Sequence, residues 1–135
     1  MAARAFIFAG GGTGGHLYPG IAIAEELVTQ GGANVHVRFL TSARAIDATV
    51  MSGTPFAWEA LPALPPRARP AGMVRFALAW RASVARTRRL IRELRARGGE
   101  GGAGRDSVTL VAMGGFVAAP AVWAARRERA RVCLV

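Results

Sequence analysis

The sequence has no lysine: all 18 of its basic residues are arginine, set against 8 acidic ones for a net charge of +10. Such a surplus suits an anionic partner, whether nucleic acid, membrane surface or phosphorylated substrate. An Arg-rich genome would account for the choice of Arg over Lys, but not for its clustering. Cysteine is almost absent. Cys133 stands alone, which excludes an internal disulfide and any multi-cysteine metal site and fits a reducing compartment. His16 and His36 are the only histidines, so a zinc site would need carboxylates that the sequence does not place near them. A secretory leader is not visible either, because Ala5–Ala9 is too short an apolar stretch before the glycines begin. The uncharged run Ser107–Ala125 is broken by Gly114, Gly115 and Pro120. It reads as strand, loop and helix rather than as a membrane span.

What remains is a chain of 135 residues with an apolar fraction of 52%, enough for one folded domain and too short for two ordinary ones. Ala5–Ala9 predicts a buried first strand. Pro19 marks the expected first helical turn, with Ile21, Ala24, Leu27 and Val28 at helical spacing and Gly31-Gly32 as the stop. Asn34–Leu40 alternates as a second strand. A short helix is expected over Ala45–Met51, a third strand over Pro55–Leu61 and an irregular proline-rich loop over Pro62–Gly72. Met73–Arg97 predicts one long helix with a stripe of Met73, Phe76, Ala77, Trp80, Val84, Thr87, Ile91 and Leu94 packed on the sheet. A connector follows at Gly98–Gly104. The rest predicts a fourth strand at Val108–Ala112, a helix within Phe116–Arg126 and another strand from Arg131 to Val135. Alternating strands and helices imply an α/β fold with a Rossmann-like, doubly wound parallel sheet, whose ligands sit beyond the carboxyl ends of the strands.

The first such loop is Gly10-Gly11-Gly12-Thr13-Gly14-Gly15-His16, with five glycines in six positions before the histidine. Glycines let the backbone approach a ligand closely, and the following helix turns its free N–H groups and positive dipole end toward that space. The chemistry called for is an anion, most simply a diphosphate, with the Thr13 hydroxyl as an extra donor. A P-loop is excluded, because His16 stands where its lysine should be. A dinucleotide fingerprint is met formally by Gly10, Gly12 and Gly15, but Leu40-Thr41-Ser42 replaces its acidic ribose partner. Arg44 could instead meet a 2′-phosphate, which keeps an NADP-binding module as an alternative.

A larger pattern covers essentially the whole chain. Gly11-Gly12-Thr13-Gly14-Gly15-His16, Leu17-Tyr18-Pro19-Gly20 and Ile21–Leu27 closely resemble the first glycine-loop signature of the MurG family. Ala112-Met113-Gly114-Gly115-Phe116-Val117-Ala118-Ala119-Pro120 resembles that family's second signature. The resemblance implies the N-terminal, acceptor-side domain of a GT-B glycosyltransferase, occupying residues 1–135. Such an enzyme transfers N-acetylglucosamine from UDP-N-acetylglucosamine to an undecaprenyl-diphosphate-linked muramoyl pentapeptide in peptidoglycan synthesis, with inversion and with no cofactor. The family does not rely on a metal bound by an Asp-x-Asp motif, and no such motif occurs here. By the same resemblance, Gly12, Thr13, Gly14 and Gly15 contact the UDP-N-acetylglucosamine diphosphate. Met113, Gly114, Gly115 and Phe116 line the acceptor diphosphate. His16 is either the general base that takes the acceptor proton or a group that orients substrate. Phe116 stands where the family commonly has Tyr, Ala118 where it has Ser and Ala112 where it has Gly, so two hydroxyl contacts of the second loop are missing.

The family also implies a peripheral position on the cytoplasmic face of the membrane. Trp80, Phe76 and Arg75, with Met73 and the neighbouring arginines, are the candidate contact with anionic lipid. Nucleic-acid binding is the competing use of the arginine helix, but aromatic interleaving is thin and it would leave the glycine loops unexplained. The resemblance places a Glu-Gln-Asn-type motif and a C-terminal, donor-binding domain beyond Val135. The domain is accordingly expected to be incomplete at its C-terminal end. The missing half would be either the remainder of a longer chain or a separate subunit of a split transferase.

Overall fold

A computed structural model of the chain describes residues 3–98 and 107–135. Five strands form one sheet in the order β3-β2-β1-β4-β5, and every pairing is parallel. They are β1 (Arg4–Gly10), β2 (Val35–Thr41), β3 (Ala57–Ala60), β4 (Val108–Gly114) and β5 (Arg131–Leu134). The helices are α1 (Gly14–Gly31), α2 (Ala45–Ser52), α3 (Pro70–Arg97) and α4 (Ala118–Arg127). The doubly wound α/β fold is therefore as the alternation of elements implies. Past Gly98, the expected connector lies outside the described residues.

Side-chain alternation divides the core between the two faces of the sheet. Ala5, Ile7 and Ala9 of β1 join Val108 and Leu110 of β4 under Leu90, Ile91 and Leu94 of α3 and Ala121 and Ala125 of α4. Phe8 of β1 and Val111 and Met113 of β4 turn the other way, to Leu17, Ile21 and Ala24 of α1, Phe39 of β2 and Met51 of α2. The rings of Phe8 and Phe39 stack at 5.0 Å between centroids. Because β1 is flanked by β2 on one side and β4 on the other, the chain reverses its direction of winding between β1 and β4. At such a switch point successive connections leave to opposite faces, and a crevice opens past the strand ends.

Two expectations need correction. Helix α1 begins at Gly14, five residues before the position inferred from Pro19, which instead lies inside the helix. The missing proline N–H removes only the bond to the Gly15 carbonyl, near an end whose first donors lack intrahelical partners in any case. The buried face of α3 is Ala79, Ser83, Thr87, Leu90, Ile91 and Leu94, so the expected stripe matches only at Thr87, Ile91 and Leu94. Met73 is 59% exposed, and Phe76, Trp80 and Val84 are half-buried. Length explains this. At ~1.5 Å per residue, the 28 residues of α3 run roughly 42 Å. A strand of 7 residues covers roughly 23 Å, so the first turns of α3 extend past the sheet. Among the described residues no helix is long and apolar enough to cross a membrane.

Candidate functional site

Both glycine loops lie on the same sheet edge, side by side at the switch point. β1 and β4 run in register until a bulge, where Ala9 pairs with Ala112 but Gly10 pairs with Gly114. The bulge lifts Met113 out of the ladder and delivers Gly114 and Gly115 directly against the first loop. Gly115 has φ +80, and a Cβ there would stand 2.7 Å from the Gly11 carbonyl oxygen, so only glycine lets the two loops touch. Phe116 closes over the first loop: a Cβ on Gly12 would lie 3.2 Å from its ring edge.

His16 occupies the third position of α1 and Thr13 the residue just before the helix. Threonine at that place ordinarily caps the helix by accepting a backbone N–H. Here it makes no such cap bond. Its hydroxyl instead meets His16 Nδ1 at 3.0 Å. Two consequences follow. The Thr13 side chain takes up none of the leading N–H groups of α1, so that with the helix dipole they can face an anion, apart from the His16 N–H, which donates to the Thr13 carbonyl at 3.2 Å. And Nδ1 is engaged, so Nε2 is the nitrogen left to do chemistry. It faces the second loop, 3.4 Å from where a Gly114 Cβ would be. If Nδ1–H donates to Thr13, Nε2 presents a lone pair and can accept a proton. If Thr13 donates to Nδ1, Nε2–H is a donor that can orient an oxygen.

What holds this loop comes from a different βα unit. Asp47, in the first turn of α2, is fully buried. Its carboxylate accepts the Gly12 N–H at 2.9 Å, the Ser42 N–H at 2.9 Å and the Ser42 hydroxyl at 2.5 Å. An acidic residue at the start of a helix is favoured by the dipole, and that local signal was visible. Its partner 35 residues away was not. Beside it, Arg44 Nη1 donates to the Gly12 carbonyl at 3.0 Å, and its guanidinium carbon sits 5.7 Å from the centre of the Phe116 ring.

Gly12, Thr13, Gly14, Gly15, His16, Met113, Gly114, Gly115 and Phe116 are thus gathered at one edge, although Met113 turns into the core against Phe8 and Gly20. Arg75, Phe76 and Trp80 lie apart from the loops, on the first turns of α3. Arg75 lines a hollow of about 400 Å³ with Leu64, Pro65, Arg67, Arg69 and Gly72. Phe76 lines another of about 440 Å³ with Pro66, Arg67, Ala68 and Met73. A smaller one, about 240 Å³ and lined by Arg4, Phe6, Leu27, Gln30 and Val35, is at the opposite edge of the sheet. None of these three hollows includes a residue of the glycine loops, whose own contacts define the candidate site. Among the described residues, no cluster of three His, Cys, Asp or Glu side chains could hold a metal ion.

A parallel sheet whose two glycine loops meet over a histidine at the switch point is the arrangement of a Rossmann-like α/β domain, with its crevice past the strand ends. Residues 6–134 match the N-terminal domain of glycosyltransferase family 28, and the chain belongs to that family. This sets aside the NADP-binding alternative. A UDP-N-acetylglucosamine–N-acetylmuramyl-(pentapeptide) pyrophosphoryl-undecaprenol N-acetylglucosamine transferase of Geotalea uraniireducens (strain Rf4) is 34% identical over 126 residues, covering 93% of this chain and 31% of its own length. The transferase of the same description from Leifsonia xyli subsp. xyli (strain CTCB07) is 36% identical over 124 residues, with 91% and 31% covered. That from Anaeromyxobacter sp. (strain K) is 53% identical over 51 residues, or 38% and 13%. A crystal structure of Acinetobacter baumannii MurG superposes with a TM-score of 0.68 at 18% identity, covering 97% of this chain and 34% of that one, and shows the shared fold. The chain spans about 31% of the length of the first relative named.

Proposed function

We propose that this chain is the acceptor-side domain of a transferase that moves N-acetylglucosamine from UDP-N-acetylglucosamine to an undecaprenyl-diphosphate-linked muramoyl pentapeptide in peptidoglycan synthesis. The observation that carries it is the meeting of the two glycine loops around His16 Nε2. Transfer of a sugar to a hydroxyl requires removal of the acceptor proton and stabilisation of a departing diphosphate. His16 supplies the first, as base or as the group that aims the hydroxyl. The amino end of α1, with Thr13, Gly14 and Gly15, supplies part of the second, whereas the Gly12 N–H is spent on Asp47. Gly114, Gly115 and Phe116 form the wall against which the acceptor diphosphate lies, while Met113 anchors that loop in the core. The donor's uridine and sugar are held by a C-terminal domain or a separate subunit.

The domain meets the membrane peripherally, at its cytoplasmic face. Met73, Val74 and Leu78 are each about 60% exposed on the overhanging start of α3. Arg67, Arg69 and Arg75 stand beside them around one hollow. Apolar side chains ringed by arginine suit an anionic lipid surface.

The test is acceptor binding. A muramoyl pentapeptide on a short prenyl diphosphate is titrated into the chain and followed by calorimetry. Saturable binding that is weakened by placing an alanine at Gly115 is expected. Absence of binding, or binding indifferent to that change, contradicts the proposal.

A further inference from the structure

We propose that Arg44 is a diphosphate-binding residue of this site, a cation fixed across both glycine loops. The inference rests on the diphosphate role of the loops proposed above and adds the group that supplies their positive charge.

The loop itself is poorly equipped to hold an anion at Gly12. The Gly12 N–H is turned inward to Asp47, 2.9 Å from Oδ2 and 3.2 Å from Oδ1, and is lost to any ligand. The buried Asp47 carboxylate behind the loop also adds negative charge where a diphosphate would have to approach. Arg44 answers both deficits. Its backbone is set by an N–H bond to Ser42 Oγ at 3.3 Å, and Ser42 is itself bound to Asp47. Its side chain is tied to the first loop through Gly12 O and laid over Phe116 of the second. A guanidinium has five N–H donors in a rigid fork that matches phosphate oxygens. One hydrogen bond to Gly12 O and a contact through the ring face leave the other donors for a ligand, and the residue is exposed. Because it is already held on two sides, little freedom remains to be lost on binding.

Two diphosphates visit such a site, that of the nucleotide sugar and that of the lipid carrier, and the chemistry Arg44 recognises is common to both. The full chain is titrated with inorganic pyrophosphate, UDP and farnesyl diphosphate, at low and high salt. Arg44→Gln keeps a neutral donor for the Gly12 carbonyl and removes the charge. It should bind pyrophosphate about tenfold more weakly, the loss of one charge-assisted bond, with a shallower salt dependence. Arg44→Lys should fall between, and whichever of UDP and farnesyl diphosphate shows the larger drop identifies the diphosphate served. Equal pyrophosphate affinity in wild type and Arg44→Gln overturns the role of Arg44 and leaves the loops as the site. A drop accompanied by shifted His16 ring resonances also overturns it, since Arg44 would then be propping the loop. Failure of the wild type to bind any of the three removes the diphosphate role of the loops as well.

Discussion

The carboxylate of Asp47 and the backbone N–H of Gly12 lie 2.9 Å apart, out of contact with solvent, and join the short helix α2 to the first glycine loop. The same oxygen accepts from Ser42 twice. A loop this rich in glycine is costly to order, and Asp47 is what ties it down. Asp47→Ala would leave the Gly12 and Ser42 donors buried and unpartnered, a loss on the order of 3 kcal/mol or more. Asp47→Asn keeps one acceptor oxygen and should lose less. Urea unfolding of the three proteins checks this, and an Ala variant as stable as wild type would show the clamp to be dispensable.

Much of this architecture is legible in the sequence, and each exception has a physical reason. Strand positions follow from apolar runs and alternation, and the loops from their glycines, because these signals are local. The stop at Gly32, with φ +57, is equally local. The start of α1 is not legible because Pro19 is a strong breaker whose cost falls where the helix has few bonds to lose. The buried face of α3 is not legible because periodicity does not tell which turns find a sheet beneath them. Asp47 was invisible as a clamp because its partner comes from a different βα unit.

Glu128 gives the domain a pH-dependent tie between α3 and α4. Its side chain is only 10% exposed, with Arg88 Nε at 2.6 Å and Arg92 Nη2 at 2.8 Å. Burial acts to raise its pKa, but the hydrogen bonds from Arg88 and Arg92, with their charges, outweigh that and hold it below the ordinary 4.5. A carboxyl lowered on folding contributes stability above its unfolded pKa, and that contribution disappears as pH falls through the folded value. Wild type should therefore be more stable than Glu128→Gln at pH 7, and the gap should close below about pH 4.5. Melting temperatures across that range decide it; a gap that is constant with pH would exclude the ionic origin.

The start of α3 should bind anionic membrane. Vesicles containing phosphatidylglycerol should retain the chain at low salt and release it at high salt. Arg75→Glu should weaken retention by about thirtyfold, from roughly 1 kcal/mol lost with the arginine and a similar amount for the new repulsion. Leu78→Glu should weaken it further at equal salt, since Leu78 is 62% exposed. Retention unaffected by both substitutions would place the lipid contact elsewhere.

The most direct test is catalytic. The chain is joined to the C-terminal remainder of the Geotalea uraniireducens relative, and labelled N-acetylglucosamine is followed from UDP to the prenyl-diphosphate muramoyl pentapeptide. The joined protein should form the disaccharide product. His16→Ala should cut the rate by at least ~10²-fold without changing the urea midpoint, and Thr13→Val should cut it less, because the imidazole stays and only the hydroxyl is lost. Near-normal transfer by His16→Ala would contradict the central role given to His16 where the two glycine loops meet.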